Sequence, residues 1–216
     1  MTPGEAAAFI RANTAIGAPP LLPSLRLHLA SEITPIWHAT EAVLERSGIA
    51  PPFWAFAWSG GQALARYLAD TQGLVAGRSV VDFGAGSGLV AIAAKQAGAA
   101  LVRAVDIDPL AAEAARLNAA LNGVEIEIVA DDLIGRALDA DFVLVGDLCY
   151  ERPLAERLTQ WLRGLAAAGT SVLVGDPGRQ YLPAAGMSLL GRYIVPTTLE
   201  LEDRTERETG VWRLSA

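Results

Sequence analysis

The chain has 216 residues, 52% of them apolar, which is enough for one domain with a sizeable core. Its formal charge of −7 argues against binding along a nucleic-acid backbone, which calls for clustered Lys and Arg, and favours a cationic substrate. A single cysteine, Cys149, excludes an internal disulfide and a site built from several thiolates; with only His28 and His38 besides, no metal is expected.

From the N-terminus, Thr2-Pro3-Gly4-Glu5 has the form of a capping box with proline at the first helical position, predicting a helix from about Pro3 to Thr14. The same segment lacks a basic stretch followed by an apolar one and is not Arg- and Ser-rich, so a cytoplasmic protein is expected. No apolar run reaches the ~18 residues of a membrane span. In "LRLHLAS" the alternation of Leu25, Leu27 and Leu29 with Arg26 and His28 predicts a half-buried strand with His28 on its solvent side. Thr34-Pro35 opens a second helix, which Gly48 closes.

In "PPFWAFAWSGGQALARYLAD", Ser59 and Gln62 read as a further capping box, predicting a helix from Gly60 to about Asp70. Phe53, Trp54, Phe56 and Trp58 fall in the loop leading into it, as the wall of a pocket or as a clamp on the sheet. From Arg78 onward strand and helix alternate: strand 79–83, helix 88–97, strand 101–105, helix 109–121, strand 125–129, strand 141–146, helix 152–166 and strand 171–175. That alternation specifies an α/β, Rossmann-like parallel sheet with helices on both faces. The last segment carries two extended runs around "EDRTERETG" with no helix between them, an antiparallel hairpin on the sheet edge. One domain is expected over 1–216: an extension, 1–72, covering the site, and a core, 73–216. A monomer is expected.

Ligands in such a sheet bind beyond the carboxyl ends of the strands, where "VVDFGAGSGLVAIAA" places Gly84, Gly86 and Gly88. Asp106, 22 residues after Gly84 at the next strand end, suits both hydroxyls of a ribose, and Asp131 or Asp132 suits the exocyclic amine of an adenine. Asp108, before Pro109, reads as a helix cap. A dinucleotide loop has G-x-G-x-x-G spacing and aims N–H groups at a pyrophosphate; here the spacing is G-x-G-x-G, with Asp82 two residues ahead of it. A carboxylate repels a pyrophosphate and attracts the ammonium of a methionine moiety. S-adenosylmethionine is therefore the expected cofactor, S-adenosylhomocysteine its product, with Ser87 and Ile107 among its contacts. At the fourth strand end "GDLCY" brings Asp147 and Tyr150 to the same rim, while Cys149 reads as a buried filler.

The stretches "PPFWAFAWSGGQALARYL", "DFGAGSGLVAIAA", "DLCYERP" and "GDPGRQYLP" span almost the whole chain. They resemble the lysine methyltransferases of the electron transfer flavoprotein β-subunit and their bacterial relatives, seven-stranded enzymes with a D-x-x-Y motif. The resemblance implies that Asp147 and Tyr150 border a lysine channel, that Trp58 lies near the cofactor, and that Gly84, Gly86, Asp106 and Asp132 hold it. Ser59 stands where the family carries proline. A bacterial member, with the flavoprotein β-subunit as partner, is the expectation.

Methyl transfer is an in-line displacement, so the protein has to align the reactants and present an uncharged amine. A lysine with pKa near 10.4 costs roughly 4–5 kcal/mol to deprotonate at pH 7. Trp54, Phe56 and Tyr150 are expected to strip water from it, with Glu151 a further substrate contact, while Asp147 orients the amine and receives or relays its proton. Two other activities share these motifs: N-methylation of a small nicotinamide-like amine, and non-catalytic nucleotide binding.

Overall fold

The structure is a computed structural model that describes residues 1–30 and 51–216. The helix expected from Thr34 to Gly48 lies outside the described residues. Helix α1 (Pro3–Asn13) opens on the expected reciprocal cap: the Thr2 hydroxyl accepts from the Glu5 N–H, and the Glu5 carboxylate accepts from the Thr2 N–H at 2.7 Å. Strands β1 (Ala15–Gly17) and β2 (Leu27–Leu29) then form a small antiparallel ribbon.

His28 does not face solvent, as its place in the alternation suggested; it is 7% exposed. Its backbone N–H donates to Asn118 Oδ1 at 2.8 Å, and its ring Nδ1 lies 3.0 Å from Thr14 Oγ1. The Thr14 hydroxyl also lies 2.6 Å from the Ile10 carbonyl, to which it donates, an arrangement that suits an Nδ1-protonated ring. Burial pushes the His28 pKa down, and Arg11 adds to that. Thr14 and Asn118 cover His28 by tertiary packing, which alternation alone cannot register, while its cross-strand partner Ile16 stays exposed.

Helix α2 (Ser59–Asp70) follows a single 3-10 turn at Phe53–Ala55. The expected Ser59–Gln62 box is absent, because Trp58, not Ser59, is the N-cap. The Ser59 hydroxyl donates to Glu202 Oε1 at 3.1 Å instead, and Gln62 is taken up by the Ala57 carbonyl and the Leu21 N–H.

The core sheet is built from β3 (Ser79–Phe83), β4 (Leu101–Asp106), β5 (Glu127–Ala130), β6 (Phe142–Gly146), β7 (Ser171–Asp176), β8 (Met187–Pro196) and β9 (Glu206–Leu214). Their order is β5-β4-β3-β6-β7-β9-β8, parallel except at the antiparallel β9 and β8. Helices α3 (Leu89–Gln96), α4 (Pro109–Leu121) and α5 (Arg152–Ala167) are the crossovers. Asp108 caps α4, accepting from the Leu110 N–H at 2.8 Å.

Side chains alternate between the two faces. Val80, Leu144 and Leu173 pack with α2 and α3, whereas Val81, Val143 and Val172 pack with Leu158, Trp161, Leu162 and Leu165 of α5. Each fully buried leucine in these layers contributes about 1.5–3 kcal/mol. The edge hairpin is present, with one correction: a one-turn helix, α6 (Leu199–Glu202), lies between its strands. It buries the acidic Glu202, which the sequence presents as one more polar turn residue.

Candidate functional site

Strand order reverses between β3 and β6, because the chain runs outward through β4 and β5 and returns to the other side of β3. The crevice beyond these carboxyl ends is a cavity of about 480 Å³, within the range of small-molecule sites. Its wall includes Trp58, Gly84, Gly86, Asp106, Ile107, Asp131 and Asp132, together with Trp54, Asp147 and Tyr150. Phe53 lines it as one of the loop aromatics expected at a pocket wall, and Leu154 lines it although its helical face reads as core; Pro51, Leu148, Arg157 and Arg179 also line it and had no site role in the sequence.

The loop after β3 is pinned by N–H groups of Gly84 and Ala85, which both donate to the Val105 carbonyl at 2.9 and 3.0 Å. Gly84 has φ +70°, and a Cβ on it would sit 2.5 Å from Leu148 Cδ1; the glycine is required both by conformation and by the neighbouring loop. Asp106 accepts from the Gly86 N–H at 2.8 Å and from the Asp108 N–H at 3.0 Å. A carboxylate offers about four lone-pair positions, so acceptor capacity remains for a ribose hydroxyl. Asp131 and Asp132 pair with Arg136 and Arg157, and Asp132 also accepts from the Ile134 N–H at 2.9 Å. Bare backbone, a half-committed carboxylate and the apolar Ile107 and Leu148 suit the nucleoside of S-adenosylmethionine.

Three expected contacts lie elsewhere. Asp82 is 1% exposed and turned under α3, where it accepts from the Ala91 N–H at 2.9 Å and so satisfies one of the orphan donors of a helix without a side-chain cap. Ser87 is buried and its carbonyl accepts from Asn118 Nδ2. Gly88 is a packing glycine, since a Cβ there would lie 2.9 Å from Ala115 Cβ. Burial pushes Asp82 up to about 7 against the Ala91 bond, with Asp106 adding to the rise. The folded form therefore holds this proton more tightly than the unfolded chain. Asp82 adds most stability below pH 4, and that contribution is lost as pH rises through 7. Asp82→Asn should flatten this dependence: between pH 5 and 8 wild type is expected to lose on the order of 5 °C more in Tm than the variant. Parallel melting curves would refute the assignment.

Asp147 is held by both oxygens. One accepts the Gly60 N–H; the other accepts Arg179 Nε at 2.9 Å and lies 2.8 Å from Nη2. The residue has φ +58°, the left-handed region that aspartate tolerates better than most. Burial pushes its carboxyl up to about 7, Arg179 opposes the rise, and the charges of Asp176 and Glu202 add to it. Arg179 lies against the Trp58 ring at 5.8 Å. Tyr150, 41% exposed, meets Phe53 at a centroid distance of 5.7 Å, forming an aromatic mouth.

Phe56 and Glu151 are not part of the wall. Phe56 packs with Ile10, Leu110 and Ala111, clamping α1 and α4 together, and Phe53 takes the position at the mouth. Glu151 is exposed and is the N-cap residue of α5 without a side-chain hydrogen bond. Cys149 is buried, and desolvation raises its thiol to about 12, which fits a filler and not a nucleophile. Among the described residues no group of His, Cys, Asp and Glu has the arrangement of a metal site.

Residues 63–172 match the ribosomal protein L11 methyltransferase (PrmA) family. The electron transfer flavoprotein beta subunit lysine methyltransferase of Xenopus laevis is 42% identical over 174 residues, covering 79% of this chain and 70% of that one. That of Danio rerio is 38% identical over 213 residues, covering 95% and 81%. Among solved structures, ribosomal protein L11 methylase from Lactobacillus delbrueckii superposes with a TM-score of 0.52 at 25% identity, covering 78% and 83%. Magnesium protoporphyrin IX methyltransferase from Synechocystis with bound SAM superposes with a TM-score of 0.53 at 21% identity, covering 72% and 78%.

Proposed function

The chain belongs to the electron transfer flavoprotein beta subunit lysine methyltransferase family, and from that premise we propose that it methylates the Nζ of lysine in a protein, the beta subunit of this flavoprotein. The observation that carries the reading is the position of Asp147, a buried carboxylate in the same cavity wall as Asp106, behind the Tyr150–Phe53 mouth. An aromatic entrance of this kind suits the apolar stem of a lysine, which would carry its amine toward Asp147.

When bound, S-adenosylmethionine supplies an electrophilic methyl on its sulfonium. Asp106 would hold the ribose, Asp132 the adenine amine, and Gly84 and Gly86 let the ligand approach the backbone. On the substrate side, Tyr150, Phe53 and Trp54 exclude water from the amine, which lowers its affinity for a proton. Asp147 accepts an N–H bond from the amine, aligns its lone pair, and takes or relays the proton. A carboxyl raised to about 7 is matched to that task at neutral pH.

The test is transfer of labelled methyl from S-adenosylmethionine into cognate electron transfer flavoprotein, total cell protein and a panel of small amines. Label in the beta-subunit band supports the proposal. Label confined to small amines would replace it with small-molecule N-methylation.

A further inference from the structure

The cavity wall at Asp147 continues into a buried ion-pair cluster assembled from four separate parts of the chain. Arg179 Nη2 bridges Asp147 Oδ1 at 2.8 Å and Glu202 Oε1 at 3.0 Å. Glu202, 4% exposed, also accepts from Ser59 Oγ and, through Oε2, from Arg207 Nε at 3.2 Å. Asp176 Oδ1 accepts the N–H groups of Gly178 and Arg179, at 2.7 and 2.6 Å, and so fixes the loop that presents the guanidinium. Three carboxylates, Asp147, Asp176 and Glu202, thus share two guanidiniums, Arg179 and Arg207. Among the described residues one negative charge of this cluster is left to be offset by a proton or an incoming cation.

We propose that Arg179 and Glu202 are positioning residues for the methyl transfer: Arg179 holds Asp147 and favours its ionised form, while Glu202, carried on the edge hairpin, shares the same guanidinium and opposes that effect with its own negative charge, so that together they set how readily the carboxylate takes the amine's proton. The inference rests on the reading of Asp147 as the amine's partner. Among the described residues, the charged and polar groups facing Asp147 are the Gly60 N–H from α2, Arg179 and Asp176 from the end of β7, Glu202 from α6, and the un-ionised Cys149 thiol on its own loop. Arg207 reaches it only through Glu202.

The two residues act with opposite sign. Loss of the Arg179 charge makes Asp147 harder to ionise, and loss of the Glu202 charge makes it easier. The same signs hold if the group titrating in the reaction is the bound amine, since a cation removed raises its pKa and an anion removed lowers it. A cluster that merely braced the fold would not produce opposite shifts.

The experiment compares wild type, Arg179→Gln, Arg179→Lys and Glu202→Gln by two readouts. One is the carboxyl carbon resonance of Asp147 followed against pH, assigned through Asp147→Asn. The other is the pH profile of single-turnover methyl transfer. Arg179→Gln should move both midpoints up by about one unit, Glu202→Gln down by about one unit, and Arg179→Lys should restore most of the wild-type midpoint. Glu202→Gln keeps the shape of the side chain, and melting curves identify any variant that fails to fold; Arg179→Lys then carries the comparison with wild type. Midpoints unmoved, or moved in the same direction, in folded variants overturn the proposal. If wild type methylates no protein lysine, the functional reading fails, while the resonance titration still decides whether Arg179 and Glu202 govern Asp147.

Discussion

Asp147→Asn should lower single-turnover methyl transfer at neutral pH by about 10²–10⁴-fold while S-adenosylmethionine binding stays within about tenfold. Asparagine keeps the shape, and its carbonyl can still accept from the Gly60 N–H that Asp147 binds. It cannot take a proton, and it leaves Arg179 with Glu202 as its one remaining acid of this pair. Asp106, the proposed ribose ligand, accepts from Gly86 and Asp108 and not from the Asp147 loop, so cofactor affinity should be insulated from the change. Rapid-quench transfer and calorimetric binding separate the two quantities. Equal loss in both would make Asp147 a cofactor ligand.

The largest stability effect is expected at Gly60, in the first turn of α2. Helix α2 crosses β6 and β7 so closely that Gly60 faces Gly175 and Gly61 faces Gly146, backbone against backbone. A Cβ on Gly60 would lie 2.6 Å from Asp147 Oδ2 and 2.8 Å from the Gly175 carbonyl carbon. Neither neighbour can swing away: one is main chain, and the other is a carboxylate fixed by Arg179 and by Gly60 itself. Gly60→Ala should therefore lift the helix from the sheet at a cost of about 3 kcal/mol or more, lowering Tm by roughly 6–12 °C. Gly61→Ala is the control. Its Cβ would meet only the tips of Leu89 and Val90 side chains at 3.8 Å, so its Tm should stay within about 3 °C of wild type. Similar melting of both variants would contradict this packing account.

Legibility in the sequence followed the range of the interactions. The strands leading to Gly84, Asp106 and Asp147 were readable because a parallel sheet writes itself as alternating apolar runs, and its topology puts their carboxyl ends together. Thr2 and Asp108 were readable as caps because their partners lie three and two residues away. Arg179 and Glu202 were not. They meet Asp147 and each other across 32 and 23 residues, and Glu202 sits in a segment whose composition reads as a solvated turn. A signal did exist: a buried carboxylate at a strand end needs a cation, and "GDPGRQYLP" supplies one at the end of the neighbouring strand. Ser59 failed as a predicted cap for the same reason in reverse, because its partner Glu202 is 143 residues away. Phe53 and Phe56 are indistinguishable by pattern; only the 3-10 turn decides which ring reaches the mouth and which the core.

Peptide mass mapping of purified electron transfer flavoprotein, after incubation with S-adenosylmethionine and either wild type or Asp147→Asn, tests the central claim most directly. The account predicts whole methyl increments on one or a few beta-subunit lysines with wild type and almost none with the variant. An unmodified beta subunit, beside wild-type enzyme that binds S-adenosylmethionine, would contradict the assigned substrate. Equal modification by the variant would contradict the role given to Asp147.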